Sequence, residues 1–344
     1  MSGRLSLTSV SQALIVVTAL SVSSFAGTYF DSVRVSQVLQ AQTLVFNDRL
    51  QAADSIYRKM IETHPDDPAN YLFHAGALFA EMSDAEENLN EPLLKQLLDT
   101  VDILSDRILD TCDNNTAAWM YLWRGHARSY RALWESKFGS SLRALKLGLS
   151  TIDEYEAGLK RDSTVIDLYA GIGSYHYWKS AKAGVLSWFG IFRSEKDKGI
   201  AELRRAADSS LLHCDLARSA LIWVWLDRKE YDSAITLASN FLDRYPEGKT
   251  SLWPIAQARF RQANYAQAAE TFLRIRTRLE SSPGNYHNLI ECDYYLAQCY
   301  RWLSDDHSRN LTATRFQNYR AAIPPLTLKR QSAKISYLSR LKAR

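Results

Sequence analysis

The chain has 344 residues, 46% of them hydrophobic, so it can bury a large core and is not a disordered polymer. Only 14 Gly and 8 Pro are present, too few for the turns of an all-β sandwich and suited to long helices on short connections. The formal charge of +4 is uneven: residues 307–344 hold nine Lys or Arg and no acid, while the first 306 residues hold 33 basic against 38 acidic side chains.

The first element is a leader. Arg4 is the only charge before Asp31, an apolar run extends from Ala13 to Leu20, and Ser24, Phe25 and Ala26 form a small-x-small cleavage pattern. Residues 1–26 are expected to be a signal peptide, with an uncleaved N-terminal membrane anchor as the alternative reading. The chain is therefore expected to be exported, and periplasmic or cell-envelope associated. Four cysteines, Cys112, Cys214, Cys292 and Cys299, are too few for a disulfide framework and read as buried small hydrophobes.

From residue 34 the pattern is helical and repetitive. Ala53, Tyr57, Met60 and Pro65 share their spacing with Ala234, Ala238, Phe241 and Pro246, and Ala268, Phe272 and Ile275 continue the pattern. Positions i, i+4 and i+7 lie on one helix face; the small residue lets a neighbouring helix approach and proline ends the helix. Partner helices carry Tyr71, His74, Ala75 and Leu78; Trp123, His126, Ala127 and Tyr130; Tyr169, Ile172, Gly173 and His176; and Asp293, Leu296, Ala297 and Tyr300. From about 34 to 304 the chain resembles tetratricopeptide repeat (TPR) proteins, with degenerate repeats. The resemblance implies an all-α, right-handed superhelical solenoid of antiparallel helix pairs.

The repeat is interrupted near 183–198 by an apolar insertion with Trp188, Phe189 and Phe192, flanked by lysines. Its apolar run is too short to span a bilayer. A buried plug is favoured over an interfacial anchor, because buried apolar runs outnumber membrane-dipping ones. Around 169–206 the order Gly171, Gly173, Tyr175, then Gly199, Ile200 and Leu203 is similar to TPR proteins of the inclusion-body-clearance type.

No metalloprotease, phosphate-loop or nucleophile-elbow motif occurs, so no enzymatic activity, cofactor or metal is expected. His213, Cys214 and Asp215 are consecutive and diverge around a helix. What remains is surface. The TPR resemblance implies that one face of each first helix lines a concave groove, which places Leu72, Arg124, Arg128, Ala170, Trp223, Trp253 and Tyr294 there, with Arg301 a turn beyond. Aromatics and guanidinium groups suit a protein or peptide partner bearing a carboxylate. One alternative is a solute-binding or enzyme-accessory protein whose groove the insertion closes. A second is a membrane-surface adaptor using the basic tail, 307–344, on anionic lipid; nucleic acid is not expected. Ile335, Leu338 and Leu341 give that tail a helical apolar stripe, so it is expected to cap the solenoid.

Overall fold

The computed structural model describes residues 29–182, 194–281 and 284–341. The leader, 1–26, and Trp188, Phe189 and Phe192 of the insertion lie outside them. The described chain forms helix pairs in series. They are α1 (Ser32–Phe46) with α2 (Leu50–Thr63), α3 (Pro68–Ala85) with α4 (Glu91–Leu109), and α5 (Asn114–Phe138) with α6 (Ser141–Arg161). Next come α7 (Leu168–Lys182) with α8 (Lys196–Ser209), and α9 (Cys214–Asp227) with α10 (Tyr231–Arg244). The last are α11 (Leu252–Arg261) with α12 (Tyr265–Glu280), and α13 (Tyr286–Trp302) with α14 (Asp306–Tyr319). A 3-10 turn, Arg320–Ala322, leads into α15 (Pro325–Arg330) and α16 (Ser332–Ser339); no strand occurs among the described residues.

Local chemistry sets the helix limits. Asp31, Asp67, Asp113, Ser140, Asn285 and Asp305 each accept a first-turn N–H that has no partner inside its helix. At the other end Asp48, Glu86, Lys229, Ala263 and Ser304 have φ of 58°, 55°, 63°, 60° and 56°. All five follow an odd-numbered helix, at the corner into its partner. Left-handed backbone there stops the helix and turns the chain back. The corner thus repeats in the backbone with five different side chains, none of them glycine.

From α1 to α14 each helix packs on the next, and α1 on α3, α3 on α5, α5 on α7, α7 on α9 and α9 on α11 also touch. Odd helices therefore form an inner wall and even helices an outer one, an all-α TPR-like solenoid. Ala53, Ala234 and Ala268 are wholly buried, as the close helix approach requires. Between α7 and α8 the approach is closer still: a Cβ on Gly173 would lie 2.7 Å from the Gly199 carbonyl oxygen, and the reverse distance is also 2.7 Å. The tail packs on the array. Ile323, Ile335 and Leu338 are buried with Ile290, Ala297 and Phe316 of α13 and α14.

The array also lies on itself. The Phe46 ring meets Phe241 and Tyr245 at 5.1 and 5.0 Å. Lys249 donates its backbone N–H to Asp48 at 2.6 Å and its Nζ to the same carboxylate at 2.9 Å. Asn285 and Asn288 donate to the Asp84 carbonyl at 2.8 and 2.5 Å. Arg330 donates to the carbonyls of Glu86 and Lys137 at 2.9 and 2.5 Å. Each contact joins an early pair to a late one, so a mostly polar seam closes successive coils against each other.

Candidate functional site

The inner wall is filled at its N-terminal half. Phe30 packs edge-on to Trp119 at 5.2 Å and Trp123 at 6.0 Å, and Phe73 meets Trp123 at 5.6 Å. The α8–α9 turn reaches into this cluster, bringing His213 to 6.3 Å from Phe73 and 6.1 Å from Trp123. Leu72 and Ala170, expected to line a groove, are buried at 2% and 3% exposure. Leu72 shares its core with Leu212 of that turn, and Ala170 is enclosed by side chains of α8 and α9.

Asp167 holds that turn. Its carboxylate accepts the N–H groups of Leu211, Leu212 and His213 at 2.8, 2.8 and 3.1 Å, and His213 Nδ1 at 2.8 Å. The His126 ring lies 4.8 Å from His213, its Nδ1 is 3.0 Å from the Tyr155 hydroxyl, and its Nε2 is buried without a partner. Burial, then the neighbouring His213, holds His126 well below its ordinary range, so it is neutral near pH 7. A carboxylate beside an imidazole is the arrangement of a general base. Here the carboxylate is fully engaged by backbone, and His213 is only 3% exposed beneath two aromatic rings. The arrangement braces a turn. His74 is similarly packed, with Nε2 2.6 Å from Asp54, and burial lowers its pKa.

Arg124 and Arg128 are brought together, on Glu154. Arg124 is 3.0 Å from the Glu154 carboxylate and 2.8 Å from Asp106; Arg128 is 2.5 Å from Glu154 and donates to the Ser150 carbonyl at 3.1 Å. Burial raises the Glu154 pKa, and the two guanidinium groups pull it back. Sequence reasoning missed Glu154. Its signal was present: it shares the buried α6 stripe with Thr151, Tyr155 and Gly158, where an acid needs a cation.

The remaining groove candidates are dispersed along the C-terminal half. Trp223 is half-buried against the cluster of Leu226, Ala234 and Ala258. Trp253 is half-buried and edge-on to Phe272 at 6.3 Å. Tyr294 meets Tyr337 of α16 at 5.4 Å, with Lys334 Nζ 5.8 Å from its ring, so the terminal helix covers it. Arg301 is exposed, with no ion-pair partner among the described residues.

A cleft of ≈ 340 Å³ opens elsewhere, lined by Tyr29, Arg34, Thr63, His64, Pro65, Asp66, Asp67 and Ile108. Asp67 accepts the Tyr29 hydroxyl and pairs with Arg34. His213, Cys214 and Asp215 do diverge: Cys214 Sγ donates to the Ser210 carbonyl at 2.9 Å, and Asp215 takes the Tyr245 hydroxyl at 2.6 Å. All four cysteines are free. Among the described residues no group of three His, Cys, Asp or Glu side chains is placed to hold a metal, and no helix is long and apolar enough to cross a membrane.

No family model matches this chain, and no curated protein matches it. Among solved structures it is similar to the C-terminal part of a TPR repeat-containing protein from Cytophaga hutchinsonii, at 17% identity and a TM-score of 0.41. The match covers 85% of this chain and 98% of that one. The helix-pair architecture stands on the chain's own contacts.

Proposed function

We propose that this chain is a non-enzymatic, exported scaffold that binds a protein or peptide along the C-terminal half of its inner wall. The observation that carries the reading is the pair Trp223 and Trp253. They lie on α9 and α11, neighbouring inner helices, and each is half-buried with no hydrogen bond from its indole N–H among the described residues. Half-covered tryptophans with a free donor are the side chains that anchor partners. Arg124 and Arg128 join such a site only where a partner carboxylate competes with Glu154. Export rests on the Ser24-Phe25-Ala26 pattern and places the mature chain in the periplasm or cell envelope.

The test uses the chain from Gly27 onward, which retains every described residue. Immobilised wild type is compared with Trp223→Ala/Trp253→Ala for capture of envelope proteins. The expected result is at least tenfold weaker retention of a captured partner by the double variant; equal retention removes the tryptophans from the site. A solute-binding role is the second reading, favoured by the ≈ 340 Å³ cleft, whose size falls in the range of small-ligand pockets. It requires Arg34→Ala, and not the tryptophan variant, to abolish binding.

A further inference from the structure

The α5–α6 hairpin is longer than its neighbours. Its helices have 25 and 21 residues, where α3, α4, α7 and α8 of the flanking pairs have 18, 19, 15 and 14. On the N-terminal half of α6, Leu142, Leu145 and Leu149 are 76%, 58% and 47% exposed. Their spacing of three and four puts them on one helix face. Leu133, near the end of α5 and so at the same end of the hairpin, is 49% exposed. Further along α6 the outward positions turn polar, with Asp153, Glu156 and Lys160 exposed. The apolar stripe is therefore confined to the tip. Single exposed leucines are ordinary; a run of them on one helix face is not.

Charge narrows what covers it. Between residues 131 and 152 the only acid is Glu135. Its side chain is 14% exposed and taken by Arg143 at 2.8 Å. Arg143 itself remains 66% exposed, and Lys146, which is exposed and stands among the leucines, has no partner among the described residues. On the leucine-bearing part of α6, residues 141–152, the only charged side chains are Arg143 and Lys146, both basic, on a body that is otherwise net acidic. Four leucines supply on the order of 400 Å² per protomer, about the apolar share of a standard interface of ~800 Å² a side, so area alone does not choose the occupant. A second copy docked here would set Arg143 and Lys146 of one chain against the same cations of the other. A bilayer needs no matching surface: leucines enter the acyl boundary and cations stay with the headgroups.

We propose that the tip of the α5–α6 hairpin, through Leu133, Leu142, Leu145 and Leu149 with Lys146 and Arg143, docks on an anionic phospholipid bilayer. This surface is separate from the inner wall and from the C-terminal tail, whose Ile323, Ile335 and Leu338 are buried against α13 and α14 while Leu311, Leu326 and Leu328 stay exposed. The proposal is independent of the partner-binding reading above.

The experiment is sedimentation of the chain from Gly27 onward with vesicles of equal phosphatidylglycerol and phosphatidylcholine, and with phosphatidylcholine alone. Leu142→Gln/Leu145→Gln/Leu149→Gln tests the tip, and Arg320→Gln/Lys329→Gln/Arg340→Gln tests the tail. Light scattering and melting temperature accompany each. The expected outcome is binding to the anionic vesicles that falls at least tenfold in the leucine variant, with an unchanged melting temperature, and persists in the tail variant. Four results overturn the proposal: no binding by wild type, equal binding to both lipid compositions, loss of binding in the tail variant alone, or a leucine variant that binds as wild type does. A leucine variant that turns a dimer into a monomer assigns the stripe to a second copy. One that melts several degrees lower assigns the stripe to packing within the chain itself.

Discussion

Gly248 offers a direct test of whether the coils lie on each other. Its φ is outside the left-handed region, so alanine can adopt the same backbone. A Cβ there would stand 1.9 Å from the carbonyl oxygen of Phe46 and 3.1 Å from its carbonyl carbon. The obstacle is backbone of another coil, which no rotamer change can move. Restoring an ordinary carbon–oxygen contact of ~3.3–3.6 Å requires the two turns to part by about 1.5 Å. The Glu247 N–H to Asn47 bond of 3.1 Å and the Lys249 bonds to Asp48 of 2.6 and 2.9 Å do not survive such a shift. Three bonds, each worth roughly 0.5–1.5 kcal/mol net and more where charged, set a cost of about 2–4 kcal/mol for Gly248→Ala. Urea unfolding measures it, and small-angle scattering shows whether the molecule escapes the cost by opening its coils. Gly148→Ala is the control: its Cβ meets nothing within 4 Å, so it should gain up to ~1 kcal/mol from helix propensity. If Gly248→Ala matches wild type in both urea midpoint and radius of gyration, the two turns do not touch and the closed-coil description fails.

Ala263→Gly should raise the urea midpoint by the equivalent of about 0.5–1 kcal/mol, because a Cβ at φ 60° is strained and glycine is not. A lowered midpoint would mean that the corner after α11 is not left-handed. Stability should also fall in mild acid through His126. Its folded pKa is depressed by burial, so the imidazole gains a proton on unfolding; stability is intact above the ordinary imidazole value of 6.5 and is lost as pH drops below it. Asp84, Asp102, Glu154 and Asp293 are displaced upward by burial and work in the opposite direction. The readout is therefore a difference: between pH 7.5 and 5.5, His126→Gln should lose about 1 kcal/mol less than wild type. Equal losses in the two proteins would remove His126 from the acid response.

The helix pairs were legible because their signals are local. Ala234, Ala238 and Phe241 announce a buried face within two turns of helix, and Pro65 or Pro246 ends it. The groove was less legible because lining a groove depends on the radius of the whole coil. Leu72 and Ala170 occupy the expected face, yet the first shares a core with Leu212 of the α8–α9 turn and the second with α8 and α9, and nothing near Leu72 in the sequence encodes where Leu212 and His213 come to rest. Arg124 and Arg128 were visible as a charged pair on one face. Their neutralisation by Glu154 depends on the packing of α6, for which the stripe of Thr151, Tyr155 and Gly158 was the available sign. The seam left no sequence signature. Glu247 and Asn47 are 200 residues apart, and Arg330 binds carbonyl oxygens that every residue possesses.

The seam also divides the molecule mechanically. Within each pair, helices are joined by alanines, glycines and aromatic rings, an apolar contact that weakens gradually as it is pulled. Between coils the joints are mainly hydrogen bonds and ion pairs at Asp48, Asp84, Lys249 and Arg330, which fail within a fraction of an ångström. Tension along the coil axis is thus resisted stiffly at first, then released as the turns separate with every helix pair intact. The solenoid is a spring with a catch. Salt barely touches the catch, because Lys249 is 8% exposed and its two carboxylates are shielded with it.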